Sequence, residues 1–199
     1  MNMQASTPYA AWISAPPPDG LPAEVAAEIS PVAERIGFVP NVARLLAITP
    51  SHFVGWWKYF DELMRGPSGL TKTQREMIAV VVSAESGCPY CKAAHEAALR
   101  LRTKDPVLVE KLAANYRHVD LAPRDRVMLN FAVKLTKTPE QCEQSDLAKL
   151  REVGYTDEDI LHIIEVTAIF NYNVRLATAT GLVPNVEYYD LGWTRPAAE

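Results

Sequence analysis

From Ala23 to Gly181 the apolar residues of this chain return every three or four positions, in stretches punctuated by glycine and proline. That pattern commits the chain to helices, because residues three and four apart share a helix face whereas strands alternate by two. Val25, Ile29, Val32 and Ile36 open the series, and Gly37 stops it. After the turn Phe38-Val39-Pro40-Asn41, a short helix runs from Val42 to Ile48. Pro50 starts the next, whose aromatic stripe Phe53, Trp56, Trp57 and Phe60 reads as core or subunit interface rather than as a substrate cage. Thr71 is a natural N-cap for a helix from Lys72 to about Ala84, with Met77, Ile78, Val81 and Val82 on its apolar face. The Val-rich run 79–82 alone would also suit a buried strand; the length of the period decides for helix. Gly87 breaks that helix, and Pro89 suits the first turn of another beginning near Cys88. Shorter helices are read from Asp105-Pro106 toward Tyr116, from Pro123 to Thr136 and from Ser145 to Val153, and Thr156 caps a long one ending at Gly181. The expected fold class is all-α. Residues 1–22, rich in proline and alanine, are expected to form an extended N-terminal arm, and 23–199 a single all-α domain.

Composition narrows the function. The 199 residues can build a core without staples. Lys and Arg number 20 against 24 Asp and Glu, a formal charge of −4, and no basic run could follow a phosphate backbone, so nucleic acid is not an expected partner. Three cysteines leave one over however they pair, which suits a reducing compartment. Met1 to Ala15 lacks the charged-then-apolar pattern of a secretion signal, and no run reaches the ~18 apolar residues that span a bilayer. A cytoplasmic protein with no membrane partner is expected. Two weak echoes suggest one helical architecture used twice. Gly37-Phe38-Val39-Pro40-Asn41 recurs as Gly181-Leu182-Val183-Pro184-Asn185, and Leu70 to Val82 can be laid on Leu121 to Val133 so that Arg75 meets Arg126 and Met77 meets Met128.

The chemistry concentrates in Cys88-Pro89-Tyr90-Cys91 and His95. At steps of three and four, both thiols and the imidazole fall on one stripe of a helix. A helix N-terminus and a nearby base each lower a thiol's pKa. His95 lies ~6 Å along the axis from Cys91 and ~10 Å from Cys88, so it serves Cys91 first. A Cys91 thiolate can attack the terminal oxygen of a hydroperoxide and become a sulfenic acid, which Cys88 resolves to a disulfide that an external dithiol must reduce. The imidazole needs an orienting partner, and Glu76, twelve residues before Cys88 on the preceding helix, is the candidate; Glu85 is read as solvated. The same thiols could instead be small buried residues, or hold zinc with His95 and a carboxylate. Cys142 is read as a packed thiol, Asn171, Asn173 and Arg175 as satisfied polar groups in preference to pocket-lining ones, and His52, His118 and His162 are given no role.

A longer pattern, Thr73-Gln74-Arg75-Glu76 through Val80-Val81-Val82-Ser83 to Cys88-Pro89-Tyr90-Cys91-Lys92-Ala93-Ala94-His95, resembles the core of the alkylhydroperoxidase D-like branch of the carboxymuconolactone decarboxylase superfamily. The flanks Gly37 to Trp57 and Asp159 to Asn185 resemble its peroxidase-related proteins. The resemblance implies an all-α alkylhydroperoxidase-like bundle, a homo-oligomer, and a thiol peroxidase needing no cofactor or metal. It implies Cys91 as the peroxidatic thiol, Cys88 as the resolving one, and His95 and Glu76 as relay residues. Where alkylhydroperoxidase D has a second relay histidine, this chain has Tyr90. A phenol with pKa near 10 is a poor base at neutral pH but can donate a hydrogen bond. The expected substrate is an organic hydroperoxide or hydrogen peroxide. A lactone decarboxylase, or a redox-sensing scaffold without catalysis, are the alternatives on the same fold.

Overall fold

The Val-rich stretch that alone could pass for a strand belongs to a helix whose middle is wholly buried. In the computed structural model, which describes residues 10–193, every residue of α4 (Lys72–Glu85) from Arg75 to Ser83 is buried. Helices pack around this stretch, so even Arg75 and Glu76 within it are shielded from solvent. Thr71 closes its N-terminus in a capping box, accepting from Gln74 N–H at 3.1 Å while Gln74 Oε1 accepts from Thr71 N–H at 2.9 Å.

Packed against α4 are α5 (Pro89–Thr103), α7 (Pro123–Lys137) and α9 (Asp157–Ala179). Outside these lie α1 (Ala23–Ile36), α2 (Asn41–Leu46) and α3 (Pro50–Arg65) near one end of the chain, and α6 (Pro106–Asn115) and α8 (Gln144–Glu152). No strand occurs among the described residues, and no helix among them is long and apolar enough to cross a membrane. The all-α reading holds, including the caps and stops, although Pro31 sits within α1, which the apolar period carries across it. Most of the interior is one apolar core, but Cys88, Tyr90, Cys91, Ala93, Ala97, Val174, Leu182 and Tyr188 form a second, smaller cluster. The thiols are therefore held apart from the main core.

The internal echoes correspond to matching structural devices. Arg75, buried in α4, donates to the carbonyls of Leu63 at 3.1 Å and of Gly66 and Leu70 at 2.9 Å, tying α4 to the end of α3. Arg126, its counterpart on α7, donates to the carbonyls of Tyr116 and Val119. The two Gly-Φ-Val-Pro-Asn turns lock onto each other. Asn41 Nδ2 donates to Val183 O at 2.9 Å, and Asn185 Nδ2 returns the bond to Val39 O at 3.0 Å. Asn185 Oδ1 also accepts the Asn41 N–H at 2.8 Å. Both turns begin with a left-handed glycine, Gly37 at φ 88° and Gly181 at φ 59°, a conformation that would strain any side chain. Asn185→Ala leaves a buried N–H and a carbonyl without partners and is expected to cost about 2–3 kcal/mol, read as a lower urea midpoint at unchanged m-value.

Residues 10–12 lie against the end of α9, and Pro16 reaches α2. Trp12 N–H donates to Thr180 O and Val183 N–H to Ala10 O, each at 2.8 Å, Arg44 Nε reaches Pro16 O at 2.9 Å, and Ala10 and Ala11 are buried. The first nine residues of the expected arm, and 194–199 at the other end, lie outside the described residues. Glu85 departs from its sequence reading. It pairs with Arg117 at 2.6 Å and Lys137 at 3.5 Å, because α6 and α7 bring two cations to the end of α4. His162, given no role, bridges Ser68 Oγ at 2.6 Å and Leu63 O at 2.8 Å.

Candidate functional site

Cys88 is the N-cap of α5 and Pro89 its first residue, so the dithiol sits on the positive end of a helix. The chain reaches that point through Gly87, whose φ of 64° turns α5 back along α4, with Cys88 N–H held by Ser83 O at 3.0 Å. This hairpin brings Glu76 to His95, Oε2 to Nδ1, at 2.8 Å. A carboxylate only accepts hydrogen bonds, so Nδ1 carries a proton, and in the neutral ring Nε2 is the nitrogen that keeps its lone pair. The His95 ring is fixed edge-on against Phe170, centroids 4.5 Å apart, and against Phe60 at 6.2 Å. Sequence reasoning missed Arg102, whose Nε faces Glu76 Oε1 at 3.6 Å. It stands seven residues after His95, two turns along the same face of α5, and that spacing was the available signal.

A cavity of about 440 Å³ opens onto this arrangement. Cys91, His95, Glu76 and Tyr90 all line it; Cys88 does not. Its apolar wall includes Trp56, Trp57 and Phe60, so three members of the aromatic stripe serve cavity and core together, a dual use that follows from α3 packing against both α4 and α9. Asn173 also lines it, accepting from Trp56 Nε1 at 3.0 Å, whereas Asn171 is satisfied by Thr136 and Thr167 and Arg175 lies exposed beside Asn171. Cys142 lies before α8, away from the cavity, its thiol pushed up by burial.

The two thiols divide charge unequally. Cys88 Sγ accepts from Cys91 N–H at 3.4 Å, and with the Cys91 thiol donating to it as well, the Cys88 thiol is lowered from 9.0 to about 6. Cys91 is raised, by that hydrogen bond, by burial and by the charge on its neighbour. Helical spacing assigns the imidazole's help to Cys91, while the electrostatics place the resting thiolate on Cys88. Both describe one pair sharing a proton, and access distinguishes the partners: only Cys91 meets the cavity.

Tyr90 is fixed from two sides. Its phenol oxygen accepts the Val42 N–H at 3.1 Å, and its ring meets Tyr188 edge-on with centroids 6.1 Å apart. Burial raises both phenols, Tyr188 to about 12, so each remains a neutral donor. Tyr188 was invisible to sequence reasoning, since it lies in a single turn, Val186–Tyr189, far from the motif. Arg100 secures it there, donating to Tyr188 O at 2.6 Å and Leu191 O at 2.8 Å.

Comparison with known proteins agrees with this architecture. The carboxymuconolactone decarboxylase family matches residues 50–107, a span that contains Glu76, both thiols and His95. A peroxidase-related protein from Ralstonia eutropha JMP134, described as an alkylhydroperoxidase AhpD core, is 39% identical, with a TM-score of 0.89 over 94% of this chain and 99% of its own. A second peroxidase-related protein, from Silicibacter sp. TM1040, is 39% identical, with a TM-score of 0.88 over 96% and 100%. The debrominase Bmp8, solved with 2,3,4-tribromopyrrole, shares the fold at 18% identity, with a TM-score of 0.73 over 86% and 92%. No curated protein matches the chain. On the near-complete likeness to the two peroxidase-related structures, and on the family match across the thiol helices, the chain belongs to the AhpD-like branch of the carboxymuconolactone decarboxylase superfamily.

Proposed function

We propose that the protein is a thiol-dependent peroxidase that reduces organic hydroperoxides or hydrogen peroxide through Cys91 and Cys88. The observation that carries this reading is the shared cavity: the sulfur that reaches it, Cys91, stands beside the His95–Glu76 pair, with a second thiol of lowered pKa directly behind. Cys91 gives up its proton to His95 Nε2, and its thiolate attacks the terminal oxygen of ROOH. The O–O bond breaks, Cys91 becomes a sulfenic acid, and the alkoxide leaves as ROH with the proton held by the imidazole. Cys88, as thiolate, attacks the sulfenic sulfur and expels hydroxide, which is protonated to water. The result is a Cys88–Cys91 disulfide, one alcohol and one water per hydroperoxide.

An external dithiol supplies the two electrons that return the disulfide to thiols. The lower thiol pKa belongs to Cys88, which makes Cys88 the better leaving group. Reductant therefore attacks at Cys91, the sulfur on the cavity, and substrate and reductant enter by the same door. Mass spectrometry after one equivalent of hydroperoxide tests the reading. The expected product is a two-proton mass loss mapped to the peptide holding both cysteines, reversed by dithiothreitol. An unmodified dithiol, or catalysis insensitive to alkylation of both sulfurs, overturns it in favour of lactone chemistry or a non-catalytic scaffold.

A further inference from the structure

The cavity carries more positive charge than the proposed thiol chemistry uses. Four cations line it, each from a different helix: Arg35 in the last turn of α1, Arg65 at the end of α3, Lys72 at the start of α4 and Arg102 in the last turn of α5. Glu76 is the one carboxylate among the lining residues. Arg65 is paired with Asp61 and lies 5.5 Å over the Trp57 ring, and Glu62 acts on neighbouring Arg75. Arg102 reaches Glu76 only at 3.6 Å, and neither Arg35 nor Lys72 forms an ion pair within 4.0 Å among the described residues. Burial first, then Arg35 and, against the opposing pull of Glu76, Arg102 lower the Arg65 guanidinium, so both arginines repel Arg65 at this end of the cavity. Convergent cations short of counter-charge stabilise a bound anion, and guanidinium forks suit a carboxylate.

The remaining lining fixes the rest of the ligand. Val32, Ile36, Met64 and Leu101 are apolar and share the cavity with these cations. Arg102 lies ~16 Å along α5 from Cys91, and helical side chains lean back toward the N-terminus, which shortens the gap to the order of 10 Å. We infer that the site takes hydroperoxides borne on a medium-length or longer apolar chain that ends in a carboxylate, the head group bound by Arg35, Arg65 and Arg102 and the hydroperoxide at Cys91. The inference rests on the peroxidase reading only for the reacting group.

Two measurements separate the two ideas. In the first, linoleic acid hydroperoxide and its methyl ester are compared as substrates. The acid is expected to have a kcat/KM at least tenfold higher, mainly through KM, and the preference is expected to shrink as salt screens the rim. In the Arg35→Gln/Arg65→Gln protein the ratio of acid to ester is expected to fall toward one. In the second, decanoate and decanol are titrated calorimetrically into the Cys91→Ser protein, which needs no turnover. Decanoate is expected to bind at least fivefold more tightly than decanol, and the double arginine variant to erase the difference. Equal kcat/KM for acid and ester together with equal binding of decanoate and decanol overturns the inference, even if tert-butyl hydroperoxide is consumed and the peroxidase reading stands. Arginine-dependent decanoate binding without consumption of any hydroperoxide keeps the inference and overturns the peroxidase reading.

Discussion

Cys91→Ser is expected to lower hydroperoxide turnover by about 10³-fold or more, because it removes the sulfur that meets the cavity. Cys88→Ser is expected to behave differently. It should consume one equivalent and stop, leaving a Cys91 sulfenic acid that dimedone traps, since the step it removes is resolution. Full turnover by Cys91→Ser would place the attack elsewhere. The same pair predicts a titration. Thiolate absorbance in the reduced wild type should rise with a midpoint near pH 6, the position of Cys88, and that rise should vanish in Cys88→Ser. Because the folded thiol lies below its ordinary 9.0, the folded state holds fewer protons than the unfolded chain between about pH 6 and pH 9. Stability contributed by Cys88 is therefore fullest above pH 9, and it is lost as pH falls toward 6.

Glu76→Gln is the second large effect, an expected loss of about 10²-fold in kcat with KM changed less than twofold. The amide keeps the shape but removes the charge, and its NH₂ can donate to Nδ1 and so reverse the tautomer that leaves Nε2 free. His95→Ala is expected to lose a similar factor, and the double variant little more than either single one, because the two act as a unit. A steeper rise of kcat with pH in both variants than in wild type would show that the lost function is proton transfer rather than folding. Additive losses, or a change confined to KM, would argue for two separate structural roles.

The helices were legible because their signals are local. Thr71 and Thr156 cap where their side chains said they would, and Gly37, Gly87 and Gly181 turn the chain where a left-handed residue is needed. The Glu76–His95 contact was legible for a related reason: a short turn between two long helices leaves few ways to pack them. What escaped was set by distance along the chain. Tyr188 reaches the site from a single turn near the end of the chain, and Arg35 and Arg65 look in sequence like ordinary cations completing helix C-termini. Nothing in the spacing of Cys88 and Cys91 foretold their uneven charge either. That depends on which sulfur caps the helix and which one the cavity reaches.

The cavity that joins these parts is drawn from unequal portions of the chain. Its thiol, imidazole and carboxylate, Cys91, His95 and Glu76, all fall within residues 50–107, whereas Val32, Arg35, Asn173 and Tyr188 come from before and after that span. Reactivity thus lies within that one span, whereas the rest of the cavity wall is divided between it, through Arg65 and Arg102, and the tracts on either side. Substitutions at Val32, Arg35, Asn173 or Tyr188 are expected to alter which ligand is preferred while the dithiol helix is left as it was, and a chimera carrying foreign ends on this centre is expected to shift that preference without changing its chemistry.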